Sequence, residues 1–244
     1  MNRLKGKKVL ITGANSGIGK ACAELLGKYD TRLILTVRDK SRLQGFDEAD
    51  IVELDVRNYG EVEQALKDID PDILINNAGL ALGLESLENG SIDDWDTMID
   101  TNIKGLLYVS KIIFAKMKAK NSGHIINIGS IAGKMAYSGG NVYCATKAAV
   151  ESLSHSMNID AVGTNIRISN LAPGAVETNF SNTRFHGNDT KADAVYEGFK
   201  ALSAEDIADI AAYILNAPEH VNIQDLLVMP TAQRNPFVLH RDPS

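Results

Sequence analysis

Between a short apolar run, Lys8-Val9-Leu10-Ile11, and an amphipathic stretch from Gly17 to Leu26 lies Thr12-Gly13-Ala14-Asn15-Ser16-Gly17-Ile18-Gly19. A buried strand that turns through glycines into a helix constrains the chain more than any other feature. Glycines permit the tight turn and let a phosphate group approach the backbone. The helix N-terminus adds free N–H groups and a partial positive charge. Gly13, Asn15, Ser16, Gly17, Ile18 and Gly19 are therefore expected to hold a dinucleotide pyrophosphate. The spacing is Gly-x3-Gly-x-Gly, and an ordinary strand-to-helix turn is the alternative.

The same alternation runs on through the chain. Apolar strands are expected at Arg32–Val37, Ile51–Leu54, Asp72–Asn76, His124–Ile128, Asn165–Ser169 and Leu226–Met229. Helices are expected at 58–69, 93–120, 141–162 and 204–216. Continuous apolar strands separated by helices imply a mostly parallel sheet covered on both faces. Right-handed crossovers make it an α/β, doubly wound, Rossmann-type domain. With 244 residues, 44% of them hydrophobic, and no linker or repeat, one domain spanning 1–244 is expected. Its core is about 6–230, followed by a tail, 231–244, containing Pro236 and Pro243. The tail is either disordered or reaches a neighbouring subunit. Asp39 to Asp50 leaves little room for a full helix. Thr178 to Asp189, rich in Asn, Ser, Thr and Gly, reads as an irregular active-site lid.

A net charge of −6 argues against a nucleic-acid surface. No apolar run is long enough to span a bilayer, and the N-terminal stretch does not read as a signal peptide. Cys22 and Cys144 lack metal spacing and read as small buried residues of a reducing compartment, the cytoplasm. No metal ligands are expected.

Strand ends identify the rest of a cofactor site. Val37-Arg38-Asp39 closes the second strand, facing an adenosine ribose. Arg38 can fork onto a 2′-phosphate, which favours NADP(H). Asp39, one position along, would favour NAD(H), which stays open. Asp55 and Val56 end the third strand; Asp55 either accepts from the adenine amine or caps the following helix. Asn76-Asn77-Ala78-Gly79 ends the fourth, where Asn76, Ala78 and Gly79 let the ribose lie against the backbone. Pro173-Gly174, with Val176 and Thr178 beyond, should pass the carboxamide side of a nicotinamide.

Tyr143 and Lys147 lie four apart on one helix face. A phenol has an ordinary pKa of about 10, and a neighbouring ammonium favours its phenolate. Such a tyrosine can give and take a proton near neutral pH. Ser130 stands just past the fifth strand. Arg184, in the lid, either clamps a substrate carboxylate in bidentate fashion or is a solvated charge.

Thr12–Gly19, Asn76–Gly79, Asn102, Ser130, Tyr143, Lys147 and Pro173-Gly174 together resemble the short-chain dehydrogenase/reductase family, over about residues 6–230. The resemblance implies a single Rossmann domain with a seven-stranded parallel sheet, and interconversion of alcohols and carbonyls with a nicotinamide cofactor. It implies that Tyr143 exchanges a proton with the substrate oxygen, to which Ser130 hydrogen-bonds. Lys147 would lower the tyrosine's pKa and hold the nicotinamide ribose, and Asn102 would hold a water linking Lys147 to solvent. Gly79–Gly83, Gly139–Tyr143, Phe180–Asn182 and Glu219–Ile223 are similar to the branch of NADP-dependent 3-hydroxy acid dehydrogenases. That branch implies a small 3-hydroxy acid substrate and a role for Arg184. Another carbonyl substrate (a 3-oxoacyl thioester, sugar or steroid) and a non-catalytic NADP sensor are the alternatives. The family is usually tetrameric; Ile112, Ile113, Phe114, Val150, Leu153 and Met157 would supply apolar faces for a homo-oligomer, or belong to the core.

Overall fold

A computed structural model of the chain describes residues 2–242. Seven strands form one sheet: β1 (Lys8–Thr12), β2 (Arg32–Val37), β3 (Asp50–Glu53), β4 (Ile73–Asn76), β5 (Gly123–Ile128), β6 (Ile166–Pro173) and β7 (Asp225–Val228). Their order is β3-β2-β1-β4-β5-β6-β7, and every pair is parallel. The chain reverses direction across the sheet between β3 and β4, so the carboxyl ends of β1 and β4 flank a crevice, the usual ligand position in such sheets.

The alternation of side chains along each strand builds two cores. Val9 and Ile11 of β1 face α1 (Gly17–Gly27), whereas Leu10 faces the opposite layer. The first core is shared with a late helix over Ala204–Leu215, where Ile207, Ala211 and Ile214 are buried. The second packs under α2 (Tyr59–Leu66) and α4 (Leu106–Lys120), with Val62, Leu66, Val109, Ile113 and Met117 inside, while α3 (Ile92–Ile99) buries Met98 in a separate small cluster. Each such fully buried aliphatic contributes roughly 1.5–3 kcal/mol. Asn58 caps α2 by accepting from the Gly60 and Glu61 N–H groups, which removes that task from Asp55. Asn121, at φ 52°, closes α4 in the left-handed conformation and turns the chain into β5.

Four segments differ from the sequence expectation. The helix foreseen over 93–120 is interrupted at Asp100–Gly105 by a π-helical turn between α3 and α4. Ser130 starts a short helix, α5 (Ile131–Lys134), before the long α6 (Asn141–Asp160). The lid is not irregular: it folds as α7 (Phe180–Arg184) and α8 (Asp189–Ala194), ahead of α9 (Ala204–Leu215). The tail folds back on its own chain. Gln233 is buried and accepts from the Ala175 N–H at 2.9 Å, while Arg241 stacks on Phe199 and donates to the Val195 carbonyl. Pro243 lies outside the described residues. The connection 39–50 carries only a single helical turn, Lys40–Arg42, as its length implies. Of the residues expected on an oligomer face, Ile113, Val150 and Met157 are buried within this chain.

Candidate active site

A cleft of about 330 Å³ opens at the carboxyl ends of the strands. Its phosphate end is the turn after β1. Gly13 sits at φ 66° and Gly17 at φ 52°, backbone that other residues adopt only with strain. The Thr12 hydroxyl accepts from the Asn77 and Ala78 N–H groups, each at 3.0 Å, and the Asn77 amide donates to the carbonyls of Thr12 and Gly13. The end of β4 thereby staples the turn shut. Ser16 begins α1 without a side-chain cap, so the first N–H groups of the helix are left for a ligand. Gly13, Asn15, Ser16, Gly17 and Ile18 all line the cleft.

Gly19 does not. A Cβ there would lie 2.3 Å from the Asn77 amide nitrogen and 2.6 Å from the Gly13 carbonyl, so this glycine lets the helix pack on the turn instead of touching a ligand. Asn76 also needs correction. Its amide points into the sheet, donating to the Ser110 hydroxyl at 2.9 Å and to Asn127 Oδ1 at 2.8 Å, and is a cross-tie between strands. Asn77, Ala78 and Gly79 face the cleft in its place.

At the far end of the crevice Arg38 and Arg42 line the wall beside Asp55, Val56 and Arg57. Asp39 is turned to other work. It caps the Lys40–Arg42 turn through the Ser41 N–H and accepts from the Ser41 hydroxyl at 2.6 Å, and that hydroxyl holds its carboxyl below the usual range. Asp55 is bound by Arg57 through two guanidinium nitrogens at 2.6–3.0 Å; this bond draws its carboxyl pKa down.

The chemical end is assembled from β4, β5, α6 and the lid. Tyr143 and Lys147 share one face of α6 and are 8% and 7% exposed. Both line the cleft together with Ser130, Gly129 and Ile128. Ser130 does two things: its oxygen accepts from the Ala132 N–H as the cap of α5, and its hydroxyl faces the Tyr143 phenol. The Lys147 ammonium donates to the Ile128 carbonyl at 2.8 Å and lies 6.0 Å from the centre of the Tyr143 ring. Burial pushes this amine down to about 8.

Burial also holds the Tyr143 phenol above its ordinary value; Ser130 and the positive charge of Arg184 act in the opposite direction. In the protein alone, then, desolvation outweighs the depression that the Tyr143–Lys147 spacing led us to expect. Asn102 lies in the π-helical turn behind Gly79. Its amide is committed to protein, donating to the Leu80 carbonyl and the Thr146 hydroxyl and accepting from the Leu80 N–H. Gly79 is the close neighbour of both groups: a Cβ there would stand 3.1 Å from Asn102 Oδ1 and 3.6 Å from Lys147 Nζ.

On the opposite wall Pro173, Gly174, Val176 and Thr178 continue from β6, and Thr178 packs over Gly17 at the phosphate end. Phe180 of α7 meets the Tyr143 ring edge-on at 5.7 Å. Arg184 is not a solvated charge. Its Nε donates to the Gly83 carbonyl at 3.1 Å, the Gly83 N–H donates back to the Arg184 carbonyl, and the guanidinium lies over the rings of Tyr137 and Tyr143. Its Nη2 is buried with no partner. The sequence carried no sign of Tyr137, Gly129 or Gln233, whose places depend on how distant segments meet; Asn77 was visible only as part of a strand-end turn.

Among the described residues no three His, Cys, Asp or Glu side chains gather as a metal site, and no helix is long and apolar enough to cross a membrane. Cys22 and Cys144 are buried free thiols, and burial pushes that of Cys22 up to about 12.

Comparison with known proteins matches residues 7–189 to the short chain dehydrogenase family. The NADP-dependent 3-hydroxy acid dehydrogenase YdfG of Escherichia coli K12 is 43% identical over 236 residues, covering 92% of this chain and 95% of that protein. The NADP-dependent 3-hydroxy acid dehydrogenase of Schizosaccharomyces pombe is 42% identical over 248 residues and 96% of both. Among solved structures, the closed form of a serine dehydrogenase complexed with NADP+ superposes with a TM-score of 0.91 at 42% identity, covering 96% of this chain and 99% of that one. A glycine turn at one end of the cleft, a serine beside a buried tyrosine and lysine at the other and likeness along almost the whole chain agree: the chain is an oxidoreductase that belongs to the short-chain dehydrogenase family.

Proposed function

We propose that this protein transfers hydride between NADP(H) and the 3-carbon of a small 3-hydroxy acid or its 3-oxo counterpart. The observation that carries the substrate class is Arg184. A guanidinium with one buried, unpartnered nitrogen lies against the face of the Tyr143 ring. A buried donor without an acceptor costs about 1–3 kcal/mol, a cost that an incoming carboxylate removes. With the guanidinium 5.6 Å from the centre of the Tyr143 ring, a carboxylate held there would bring an alcohol carbon two bonds away towards the phenol. The named activities of the 3-hydroxy acid and serine dehydrogenases above support the same reading.

The residues present fit NADP(H). The positive-φ glycine cradle and the uncapped start of α1 suit a pyrophosphate. Arg38 and Arg42 suit a 2′-phosphate, the more so because Asp39 is occupied with Ser41. Asp55 and Val56 would meet the adenine, Ala78 and Gly79 its ribose, Lys147 the nicotinamide ribose, and Pro173, Gly174, Val176 and Thr178 the carboxamide side. When bound, the cofactor supplies the hydride acceptor or donor. The protein handles the proton. Ser130 holds the substrate oxygen. Tyr143 takes the hydroxyl proton in oxidation and returns it in reduction. Lys147, lowered to about 8, changes charge near neutral pH and so can pass that proton on. The amide of Asn102 fixes Leu80 and Thr146 around it, and a water held at Asn102 would complete the path to solvent. The cytoplasm is the proposed compartment. A homo-oligomer would use the half-buried Ile112, Phe114 and Leu153 with the exposed Ile159 and Val162.

The test is a substrate panel read by NADPH absorbance. L-Serine and 3-hydroxyisobutyrate are compared with their methyl esters and with a 3-oxoacyl thioester, in the wild type and in Arg184→Leu. We expect the wild type to favour the acids over the esters by about 10–100-fold, the size of a hydrogen bond to a charged group. Arg184→Leu should abolish that preference. Turnover of the thioester alone would overturn the carboxylate reading, and no NADPH turnover with any carbonyl or alcohol would favour a cofactor sensor.

A further inference from the structure

Tyr137 stands in the connection between α5 and α6, six residues before Tyr143. Its place is tightly determined. The Gly140 N–H donates to the Tyr137 carbonyl at 3.1 Å, and a Cβ on Gly140 would lie 2.3 Å from the Tyr137 ring, so only glycine lets the ring sit there. The ring packs against the small cluster formed by Ala81, Met98, Ala132, Tyr143 and Cys144, as does Phe180 of the lid.

The Arg184 guanidinium is 5.5 Å from the centre of the Tyr137 ring and 5.6 Å from that of Tyr143. It is therefore wedged against two tyrosines and pinned at Nε by Gly83. The Tyr137 hydroxyl faces the guanidinium, and burial holds its pKa above the ordinary phenol value. At neutral pH it is a protonated phenol beside the guanidinium whose Nη2 is buried without a partner.

We propose that Tyr137 is a specificity-determining residue, the second arm of a two-point carboxylate anchor. Its hydroxyl donates to one oxygen of the substrate carboxylate while the Arg184 guanidinium takes the other. Its ring, stacked on the guanidinium, keeps that plane in register with the Tyr143 phenol. With Nε spent on Gly83, the guanidinium keeps its Nη groups for the carboxylate, and the Tyr137 hydroxyl adds a second donor from another element. This inference rests on the carboxylate reading of Arg184.

The test is Tyr137→Phe, which keeps the ring and removes the hydroxyl. Steady-state kinetics are measured on L-serine and on its methyl ester, and the inhibition constant of propanoate is measured against serine. We expect KM for serine and the inhibition constant of propanoate to rise about 10–100-fold. The ester, whose carbonyl oxygen accepts a weaker neutral hydrogen bond, should lose only a few-fold in KM, about 2–10-fold, and NADPH binding should stay within about twofold. Tyr137→Leu, which loses the stacking as well, should bring the acid-to-ester ratio down to that of Arg184→Leu. Equal losses on acid and ester in Tyr137→Phe would mean a structural role only and would overturn the proposal, as would an unchanged ratio. If the wild type shows no preference for the acid, the carboxylate reading itself has failed. If it does, and Arg184→Leu removes the preference while Tyr137→Phe leaves it intact, this inference alone has failed.

Discussion

At the phosphate end of the cleft, Gly13, Asn15, Ser16, Gly17 and Ile18 of a single turn line the wall, and one strand end, Asn77-Ala78, locks that turn. At the chemical end, by contrast, the groups come from β5, α6, the loop after β4 and a lid helix more than a hundred positions from that loop in sequence. The first end works through backbone N–H groups and glycine conformations, so few side chains carry it. The second works through buried side chains whose charge states the protein sets by desolvation. A local turn binds a group common to many cofactors. Recognition of a particular substrate needs surfaces that only distant segments can enclose.

The largest expected effect tests whether the two ends are separable. Tyr143→Phe should lower kcat by about 10²–10⁴-fold, the usual weight of a positioned acid–base group, while NADPH still quenches or shifts fluorescence with near-normal affinity. A turnover close to wild type would show that proton exchange does not pass through this phenol, and the division of labour would break down. Next comes a probe confined to the cofactor end. Arg38→Leu should raise KM for NADP+ by about 10–100-fold and leave that for NAD+ nearly unchanged, because only a 2′-phosphate meets the guanidinium. Parallel changes for both cofactors would reduce Arg38 to a solvated strand end.

The smallest effect lies outside both ends. His124 lies near the amino end of β5, an interior strand, away from the cleft; it is buried, with Nε2 3.0 Å from the Ser169 hydroxyl and Nδ1 without a partner. Burial pushes its pKa down to about 3, from 6.5. The unfolded chain therefore binds a proton below pH 6.5 that the folded protein refuses. Stability contributed by neutral His124 is present above pH 6.5 and is lost as pH falls from 6.5 towards 3, by at most about 1.4 kcal/mol per pH unit. Urea midpoints at pH 7.5 and pH 5 should differ less in His124→Asn than in the wild type, with kcat unaltered at pH 7.5. An identical pH slope in the variant would assign the acid sensitivity to other groups.

Much of the site was legible in the chain because its motifs are short-range. The strand–glycine–helix turn, the four-residue spacing of Tyr143 and Lys147, and the brevity of 39–50 each follow from local geometry. Asn76 and Gly19 misled for a physical reason: a residue in a motif can face the sheet or a packing helix as readily as the ligand, and only its neighbours decide. Asp39 and Asp55 were ambiguous because a carboxylate at a strand end suits a cap and a ligand equally. Ser41 claimed the first; Arg57 claimed the second, and Asn58 took the cap. The balance at Tyr143 was beyond local reading, since desolvation depends on everything packed around the phenol.

By itself, then, the order of residues determined a parallel doubly wound sheet, a dinucleotide turn after its first strand and a tyrosine and lysine on one helical face, because strand and helix periodicity and glycine conformations act within a few residues. Only the folded molecule decided that Arg184 closes over Tyr143 beside Tyr137, that the tail returns to brace Ala175, and that burial moves the lysine and the phenol in opposite directions. Those outcomes depend on distances across the fold and on exclusion of water, which no stretch of sequence contains.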